Sequence, residues 1–367
     1  MKVIISRVEL VDKLSGIQSI VEKRSTMPIL SHFLLNVGDE NWITATDLET
    51  AITEPIEIKE TKEPGTLCLP ARKLYEIVRE VDDDIELVSE DSEWVRLTSG
   101  KSSFRIACMN PDDFPKWPEI TEKKALNISN ETLKEMIDRT IYSAGESDTR
   151  YTLNSLLFHI KPEDNTLRVV GTDGHRLSII KTTIEPEFQE ETKLIVPRKS
   201  ASELRKFLAS QDGDVTIDIT DKHVIFNIGD IKFLVRLIEG SYPDYEQVIP
   251  VDNQKKLNID RQAFIKALKR VSIISREKSN AVKLDVTDST LTITASHPDV
   301  GEATDELAIE YSGESISLGF NARYLIDALN NMASERVFFE LQEPLTPTLL
   351  READREDYLS VIMPMRI

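Results

Sequence analysis

Asp173 and His175 are the two residues in this sequence best placed to carry acid–base chemistry. They stand two positions apart in VVGTDGHRL at 169–177, where Asp-Gly between two apolar runs is a strong signal for a β-hairpin turn. A carboxylate beside an imidazole could act as a general acid–base pair. No serine or cysteine nucleophile motif and no third orienting group accompanies the two residues. A hydrolase centred on them is therefore an alternative and not the leading interpretation.

Metal ligation and nucleotide hydrolysis have no support in the residue spacing. The histidines are scattered along the chain, at His32, His159, His175, His223 and His297. Neither Cys68 nor Cys108 has a partner at metal-ligand spacing, and both lie in apolar runs typical of buried thiols in a reducing compartment. The sequence has no glycine-rich phosphate-binding loop. We therefore expect no metal, no cofactor and no catalytic residue.

The elements that must position any functional side chain recur three times along the chain. An apolar strand, a turn and a helix follow one another at 65–78, 192–208 and 315–329. The equivalent positions are about 125 residues apart, so a 367-residue chain holds three such units. The sequence predicts three domains without low-complexity linkers, at 1–122, 123–252 and 253–367.

Each predicted domain combines amphipathic helices with short strands. Apolar residues recur with helical period in the windows 8–24, 71–80, 129–143, 197–208, 260–275 and 321–332, with Ser129 and Asp260 as N-caps. Short apolar runs bounded by turn residues, such as 42–46, 94–98 and 224–237, indicate antiparallel strands. The predicted fold class is α+β, with three tandem copies of a two-helix domain on antiparallel sheet. No apolar run approaches the roughly 20 residues needed to cross a bilayer.

Charge is distributed unevenly between the helices and the rest of the chain. The net charge of −19 argues by itself against nucleic acid, because proteins that bind it usually present a basic surface. The six helical windows nevertheless sum to +6 and the remainder to −25. One interpretation is a set of solvated helix faces; the other is a surface that meets phosphates without reading bases. Aromatic residues spaced for base stacking are missing from these helices, which argues against single-strand binding.

Several motifs resemble the bacterial DNA polymerase III beta subunit, the sliding-clamp family. They occur in the family's order: TMPIL at 26–30, TDLE at 46–49, TDGHRL at 172–177, IVPRK at 195–199, YPDY at 242–245 and MPMRI at 363–367. The resemblance runs from the first strand to the last residue. It implies that three like domains form half a ring, that two chains close head to tail into a six-domain ring, and that helices line a hole around duplex DNA.

The resemblance also implies a pocket that captures short peptides of partner proteins. The pocket residues carried over from the family are Arg150, Thr152, Leu153, Thr172, Gly174, His175, Arg176, Leu177, Pro243, Val248, Tyr324, Leu345, Pro347, Val361, Met363, Pro364, Met365 and Arg366. The other interpretation of the apolar members is ordinary core and end strand. Two departures from the family bear on partner affinity: Thr152 replaces a frequent aromatic residue, and Glu246-Gln247 replaces a commonly basic pair.

Two further surfaces follow from the charge pattern and the resemblance together. The residues expected to face DNA are Arg24, Arg72, Arg79, Arg198, Lys199, Lys206, Lys266 and Lys269. The residues expected at the ring joint are Lys73, Lys101, Phe104, Ile273, Ile274, Asp299 and Glu302. Ile273 falls on the polar side of its helix, and an apolar pair at a helix end indicates an interface.

The resemblance predicts a non-enzymatic processivity factor of cytoplasmic DNA replication. Its expected partners are duplex DNA, a second copy of the chain, the polymerase III alpha subunit, the clamp loader delta subunit and other proteins with a clamp-binding motif, but no membrane. Two alternatives from other classes are a hydrolase centred on Asp173 and His175, and a repeat-built scaffold that never touches DNA.

Overall fold

The structure is a computed structural model that describes residues 1–21, 26–118, 124–147, 149–251, 253–275 and 279–366. These ranges contain six α-helices: α1 (Arg7–Ile17), α2 (Ala71–Glu80), α3 (Asn130–Ile141), α4 (Arg198–Leu208), α5 (Arg261–Ser272) and α6 (Ala322–Asn330). None of the helices in the described ranges is long and apolar enough to pass through a membrane. The division into two helices per repeat agrees with the prediction.

The strands alternate with these helices along the whole chain. In the first part they are β1 (Lys2–Ile5), β2 (His32–Val37), β3 (Trp42–Thr46), β4 (Thr50–Pro55), β5 (Glu60–Glu63), β6 (Gly65–Pro70), β7 (Ile85–Ser89), β8 (Trp94–Ser99), β9 (Ser102–Ala107) and β10 (Lys124–Ser129). In the middle they are β11 (Ser155–Lys161), β12 (Thr166–Thr172), β13 (Arg176–Thr183), β14 (Thr192–Pro197), β15 (Asp214–Ile219), β16 (His223–Ile228) and β17 (Ile231–Arg236). The last are β18 (Lys255–Asp260), β19 (Ala281–Thr287), β20 (Thr290–His297), β21 (Gly301–Ala308), β22 (Ile316–Asn321), β23 (Arg336–Leu341), β24 (Thr348–Glu352) and β25 (Tyr358–Ile362). The predicted strand–turn–helix repeat is confirmed, since α2, α4 and α6 directly follow β6, β14 and β22.

The chain divides into two compact units. Unit 1 comprises Met1–Leu133, Glu185–Phe188 and Ser202–Leu237. Unit 2 comprises Lys134–Ile184, Gln189–Ala201 and Ile238–Ile367.

Unit 1 contains two antiparallel sheets. One has five strands in the order β5-β1-β7-β8-β9, and the other has eight in the order β10-β15-β16-β17-β4-β3-β2-β6. The larger sheet is continuous because β17 pairs with β4, in a register that aligns Phe233 with Ile52. This pairing joins the first and second repeats. Strand β9 pairs only with β8 among the described strands, so it forms an edge of the smaller sheet.

Unit 2 repeats this arrangement with the second and third repeats. Its eight-stranded sheet has the order β14-β11-β12-β13-β25-β24-β23-β18, and its four-stranded sheet has the order β21-β20-β19-β22. Strand β13 pairs with β25, aligning Leu177 with Val361. Strand β21 pairs only with β20 within the described ranges and forms an edge of the four-stranded sheet.

The helices pack through the apolar stripes that the sequence displays. Helix α2 buries Ala71, Leu74 and Val78. Helix α5 buries Phe264, whose ring centroid lies 6.1 Å from that of Phe339 on β23. Each large apolar side chain removed from water in this way contributes about 1.5–3 kcal/mol to folding.

The two predicted N-caps are confirmed. The carboxylate of Asp260 accepts a hydrogen bond from the backbone N–H of Ala263 at 2.7 Å. The Ser129 hydroxyl accepts from the backbone N–H of Thr132 at 3.1 Å. Each satisfies a donor that the first turn of a helix leaves without an intrahelical partner.

The predicted extent of the first helix, 8–24, is wrong over residues 18–21, and residues 22–24 lie outside the described ranges. Helix α1 ends at Ile17, and the backbone N–H groups of Ile20 and Val21 both donate to the Ile17 carbonyl, at 3.0 and 3.2 Å. The chain therefore turns, although Val21 remains buried as its place in the apolar stripe predicts. The Ser19 hydroxyl donates to the carboxylate of Glu203, a tertiary contact that helical periodicity cannot indicate.

The single strand predicted at 224–237 is two strands. Gly229 adopts a φ of +56°, a left-handed conformation in which glycine carries no Cβ penalty. The chain reverses there, and β16 pairs with β17 in a hairpin. Only two residues separate the apolar residues of β16 from those of β17, so the sequence pattern resembled a single long strand.

Candidate functional site

A cavity of about 130 Å³ opens in unit 2, at the turn between β12 and β13. Strand β25 and residues 242–248, which we name the wall segment and which end in a 3₁₀ turn at Glu246–Val248, form its other sides. The lining residues are Arg150, Leu153, Thr172, Gly174, Arg176, Leu177, Pro243, Tyr245, Val248, Val361 and Met363. All except Tyr245 belong to the set that the resemblance predicts.

The hairpin turn is shaped by side chains that bond to its own backbone. Asp173 Oδ1 accepts from the backbone N–H groups of His175 and Arg176, at 2.9 and 3.0 Å. Gly174 has a φ of +86°, and a Cβ at that position would lie 3.2 Å from Arg150 Nη2. The backbone conformation therefore favours glycine, and any side chain at this position would also displace the Arg150 guanidinium.

The same geometry removes the support for a hydrolase. Both oxygens of Asp173 are occupied, since Oδ2 accepts from Arg176 Nε at 3.1 Å. The His175 ring instead stacks on Tyr324, with the centroids 6.4 Å apart and the planes inclined by 18°. No described hydrogen bond joins the His175 ring to Asp173. The two residues build the turn and do not form an acid–base pair.

The floor of the cavity is apolar. The lining residues Leu177, Tyr245 and Val361 belong to one cluster of buried side chains, which also contains Leu157 and Val170. This cluster draws on β11, β12, β13, the wall segment and β25, so the floor exists only when these elements are assembled. Arg150 and Arg176 stand above it at the rim. An apolar floor with a few polar groups at its edge is typical of a ligand pocket.

Arg176 connects the turn to helix α6. Its Nη1 lies 2.7 Å from Asp327 Oδ2, and its guanidinium carbon lies 4.5 Å from the centroid of the Tyr324 ring. Burial opposes the charge of Arg176, but the hydrogen bond with Asp327 and the nearby Asp173 carboxylate raise its pKa above the ordinary value. The guanidinium therefore stays charged and remains a fixed part of the rim.

The other residues of the predicted pocket set do not line this cavity. Tyr324 and His175 stack beside it, as described. A Cβ built on Gly240 would lie 3.6 Å from Thr152 Cγ2, so Thr152 packs toward the chain just before the wall segment. Leu345 is 45 % exposed in a turn with a φ of +74°.

Three further members of that set, Pro364, Met365 and Arg366, follow strand β25, and Pro347 immediately precedes β24. The Met365 backbone N–H donates to the Gly319 carbonyl at 2.8 Å. Pro364 is half-buried and Arg366 is exposed. The Pro347 carbonyl accepts from Asn253 Nδ2 at 3.3 Å.

Tyr245 is the lining residue absent from the predicted set. It is 3 % exposed and packs in the apolar floor. It belongs to the YPDY motif that supports the resemblance, so the sequence contained a signal for it. That signal could not separate a lining residue from one that only forms the turn.

Most of the cations expected to face DNA are exposed on helices. Arg72 and Arg79 are exposed on α2, Lys199 and Lys206 on α4, and Lys266 and Lys269 on α5. Lys206 Nζ lies 2.7 Å from Glu203 Oε2. Arg198 is half-buried and paired with Glu146 at 2.8 Å. Arg24 lies outside the described residues.

The residues expected at a ring joint fall into two groups, one in each unit. In unit 1, Phe104 is on the edge strand β9, Lys101 precedes that strand, and Lys73 is on α2, where it pairs with Glu76 at 2.5 Å. In unit 2, Glu302 is on the edge strand β21, and Asp299 is in the turn before it. Ile273 follows α5 and is 78 % exposed, and Ile274 is half-buried.

The described residues contain no group of three or more His, Cys, Asp or Glu side chains that could hold a metal ion. The buried ring of His159 is instead hydrogen-bonded to two other side chains. His159 is bonded to Tyr245 and Glu191, at 2.8 and 2.5 Å.

Comparison with known proteins gives matches over all three repeats. Residues 1–118, 127–244 and 246–366 match the N-terminal, central and C-terminal domains of the DNA polymerase III beta subunit. The beta sliding clamps of Pseudomonas putida and Caulobacter vibrioides are each 35 % identical to this chain; the first match covers 99 % of both proteins and the second 100 %.

A solved structure also resembles the fold closely. The DNA polymerase III subunit beta of Pseudomonas aeruginosa, in a crystal structure bound to griselimycin, superposes with a TM-score of 0.95 at 34 % identity, covering 100 % of both chains. These matches agree with the fold and with the motif order described above. The chain belongs to the DNA polymerase III beta subunit family, the beta sliding clamps, which are non-catalytic processivity factors.

Proposed function

We propose that two copies of this chain close head to tail into a ring around duplex DNA, and that the ring tethers the replicative polymerase to its template. The observation that carries the proposal is the state of the sheet edges. Within each unit, neighbouring repeats join by strand pairing, β4 with β17 and β13 with β25, to make eight-stranded sheets. Among the described strands, the five-stranded and four-stranded sheets each come from one repeat and have no such pairing with another repeat.

Pairing β9 of one copy with β21 of the other would extend the same arrangement across the joint. Exposed strand edges favour such pairing because their backbone groups lack partners. Strand β21 contributes Glu302 and Glu306, and Lys101 and Arg105 lie on or beside β9. Opposite charges of this kind set the register and orientation of a contact. A contact between two different surfaces of identical chains closes into a ring only when the rotation from one chain to the next divides a full turn evenly. Two copies close the ring when that rotation is a half-turn.

The exposed helix cations support sequence-independent contact with DNA phosphates. Lys266 and Lys269 on α5 are exposed and make no described ion pair. A sliding protein benefits from weak contacts, since each phosphate bound by a cation strengthens salt-dependent affinity and slows movement. Tethering then comes from closure of the ring and not from affinity.

The cavity in unit 2 is the proposed site for peptides of partner proteins. Its apolar floor and cationic rim suit a short peptide with large apolar side chains and an acidic or polar flank. We expect it to accept the polymerase III alpha subunit, the clamp loader delta subunit and other proteins with a clamp-binding motif. Griselimycin, which the Pseudomonas aeruginosa protein binds, is expected to bind this chain too. The proposed domain boundaries are 1–122, 123–252 and 253–367, and the proposed location is the cytoplasm.

Retention on circular DNA tests the ring directly. The chain is loaded by its cognate clamp loader onto nicked circular duplex DNA and separated from free protein by gel filtration. A ring is retained on circles and lost after linearisation. Equal retention on both forms would indicate direct binding, and no retention on either would support a scaffold that never encircles DNA.

A further inference from the structure

The wall segment forms one side of the cavity with little backbone support. Within it, the Val248 N–H donates to the Tyr245 carbonyl at 3.2 Å. The Tyr242 hydroxyl connects the segment to β12 by donating to the Val170 carbonyl at 3.3 Å. The segment belongs neither to a sheet nor to a long helix. What holds its side chains therefore decides where Pro243 and Val248 stand against a ligand.

Tyr245 is held from below by a buried histidine. Its hydroxyl lies 2.8 Å from Nδ1 of His159, which is 1 % exposed, and the two rings meet edge to face at 5.8 Å. Nε2 of His159 lies 2.5 Å from Glu191 Oε1. Because an ionised carboxylate only accepts, Nε2 carries the proton, and Nδ1 of the neutral ring accepts from the tyrosine hydroxyl.

Glu246 is held by two cations of the neighbouring sheet. Its Oε1 accepts from Lys161 Nζ at 3.1 Å and from Arg168 Nη1 at 2.6 Å. Lys161 ends β11 and Arg168 lies in β12, and their side chains are only 14 % and 19 % exposed. Glu246 is not a lining residue of the cavity. Its carboxylate therefore points at the sheet and not at the ligand.

We propose that Tyr245 and Glu246 are positioning residues that fasten the wall segment to the β11–β12 hairpin, so that the pocket is formed before a partner peptide arrives. The inference rests on the proposed function of the cavity as a peptide site. A preformed wall raises affinity because binding does not have to order the segment. The acidic residue at 246, where the family resemblance leads one to expect a basic pair, thus acts through placement of the wall and not through contact with the peptide.

The test places a third positive charge beside Lys161 and Arg168. In Glu246→Arg, we expect faster hydrogen exchange of the amides of residues 244–248 and roughly fivefold weaker binding to the cognate polymerase III alpha subunit, measured by surface plasmon resonance. Glu239→Arg is the matched control, because Glu239 is exposed in the stretch between β17 and the wall segment and makes no described contact. It should leave both readouts within about twofold of the wild type.

A charge exchange separates positioning from general damage. Lys161→Glu together with Glu246→Arg restores one ion pair with reversed polarity, so exchange protection and affinity should both recover in part. Tyr245→Phe, which keeps the ring and removes the hydroxyl, should loosen the segment in the same direction. Unchanged exchange in Glu246→Arg and Tyr245→Phe, or no recovery in the double variant, would overturn the proposal. If the wild type binds no alpha subunit, the proposed peptide site fails, while the exchange data still decide whether these residues hold the segment.

Discussion

Arg176 Nη1 lies 2.7 Å from Asp327 Oδ2, so the turn at the rim of the cavity is tied to helix α6. Arg176 comes from the second repeat and Asp327 from the third. The Tyr324 ring, also on α6, lies under the same guanidinium at 4.5 Å. The cavity is therefore a product of two repeats packed within unit 2, and neither repeat contains it alone.

Asp327→Asn tests this connection. Arg176 keeps its contact with Asp173 but loses a charge-assisted hydrogen bond, so we expect a decrease of about 1–2 kcal/mol in the free energy of unfolding. Binding to the alpha subunit should weaken in parallel. Urea unfolding and surface plasmon resonance measure the two effects. Asp288→Asn, at an exposed turn, provides the control; equal behaviour of the two variants would contradict a role for the tie.

Ile273→Ala with Ile274→Ala is expected to give a folded monomer. Ile273 is 78 % exposed in the single chain, so truncation there removes little from the internal core but removes apolar area from the proposed joint. Analytical ultracentrifugation at low micromolar concentration measures the mass. Val8→Ala truncates another exposed apolar residue, on α1, and should remain a dimer. A dimer in the double variant would count against this joint.

Replacing Lys199, Lys206, Lys266 and Lys269 by Gln should weaken loading onto DNA while the melting temperature holds. For direct binding at low salt, we expect the slope of log K against log salt to fall by about one for each phosphate that the variant no longer neutralises. Lys59, Lys62, Lys193 and Lys283, which lie on or beside strands, form the control set. Equal effects of the two sets would mean that only net charge matters.

The stability of the protein should depend on the protonation of His159. Burial lowers the pKa of His159 below its ordinary value, although the hydrogen bond with Glu191 opposes the shift. The unfolded chain therefore binds the proton more readily, and this contribution to stability is present at neutral pH and lost as the pH falls below about 6.5. In His159→Gln, the decrease in the free energy of unfolding between pH 7 and pH 5.5 should be smaller than in the wild type. Identical decreases in urea titrations would refute the assignment.

Local features of the sequence were sufficient for much of the fold. The strand–turn–helix repeat, the caps at Ser129 and Asp260, and the start of every helix depend on residues within one or two turns of each other. Such short-range periodicity and capping survive in any tertiary context that buries the apolar face. The motif order, read as a resemblance, then predicted most of the residues that line the cavity.

Features that depend on partners distant in sequence were decided by the tertiary structure alone. The end of α1 at Ile17, the place of Tyr245 in the cavity floor and the contacts of Glu246 with Lys161 and Arg168 all belong to this class. Glu246 lies 85 residues from Lys161 along the chain, so no periodicity relates the two. The sequence by itself determined which helices and most of which strands form, because their formation depends on residues close together in the chain. The packing of the whole unit decided which strands pair, and hence which side chains meet at the pocket.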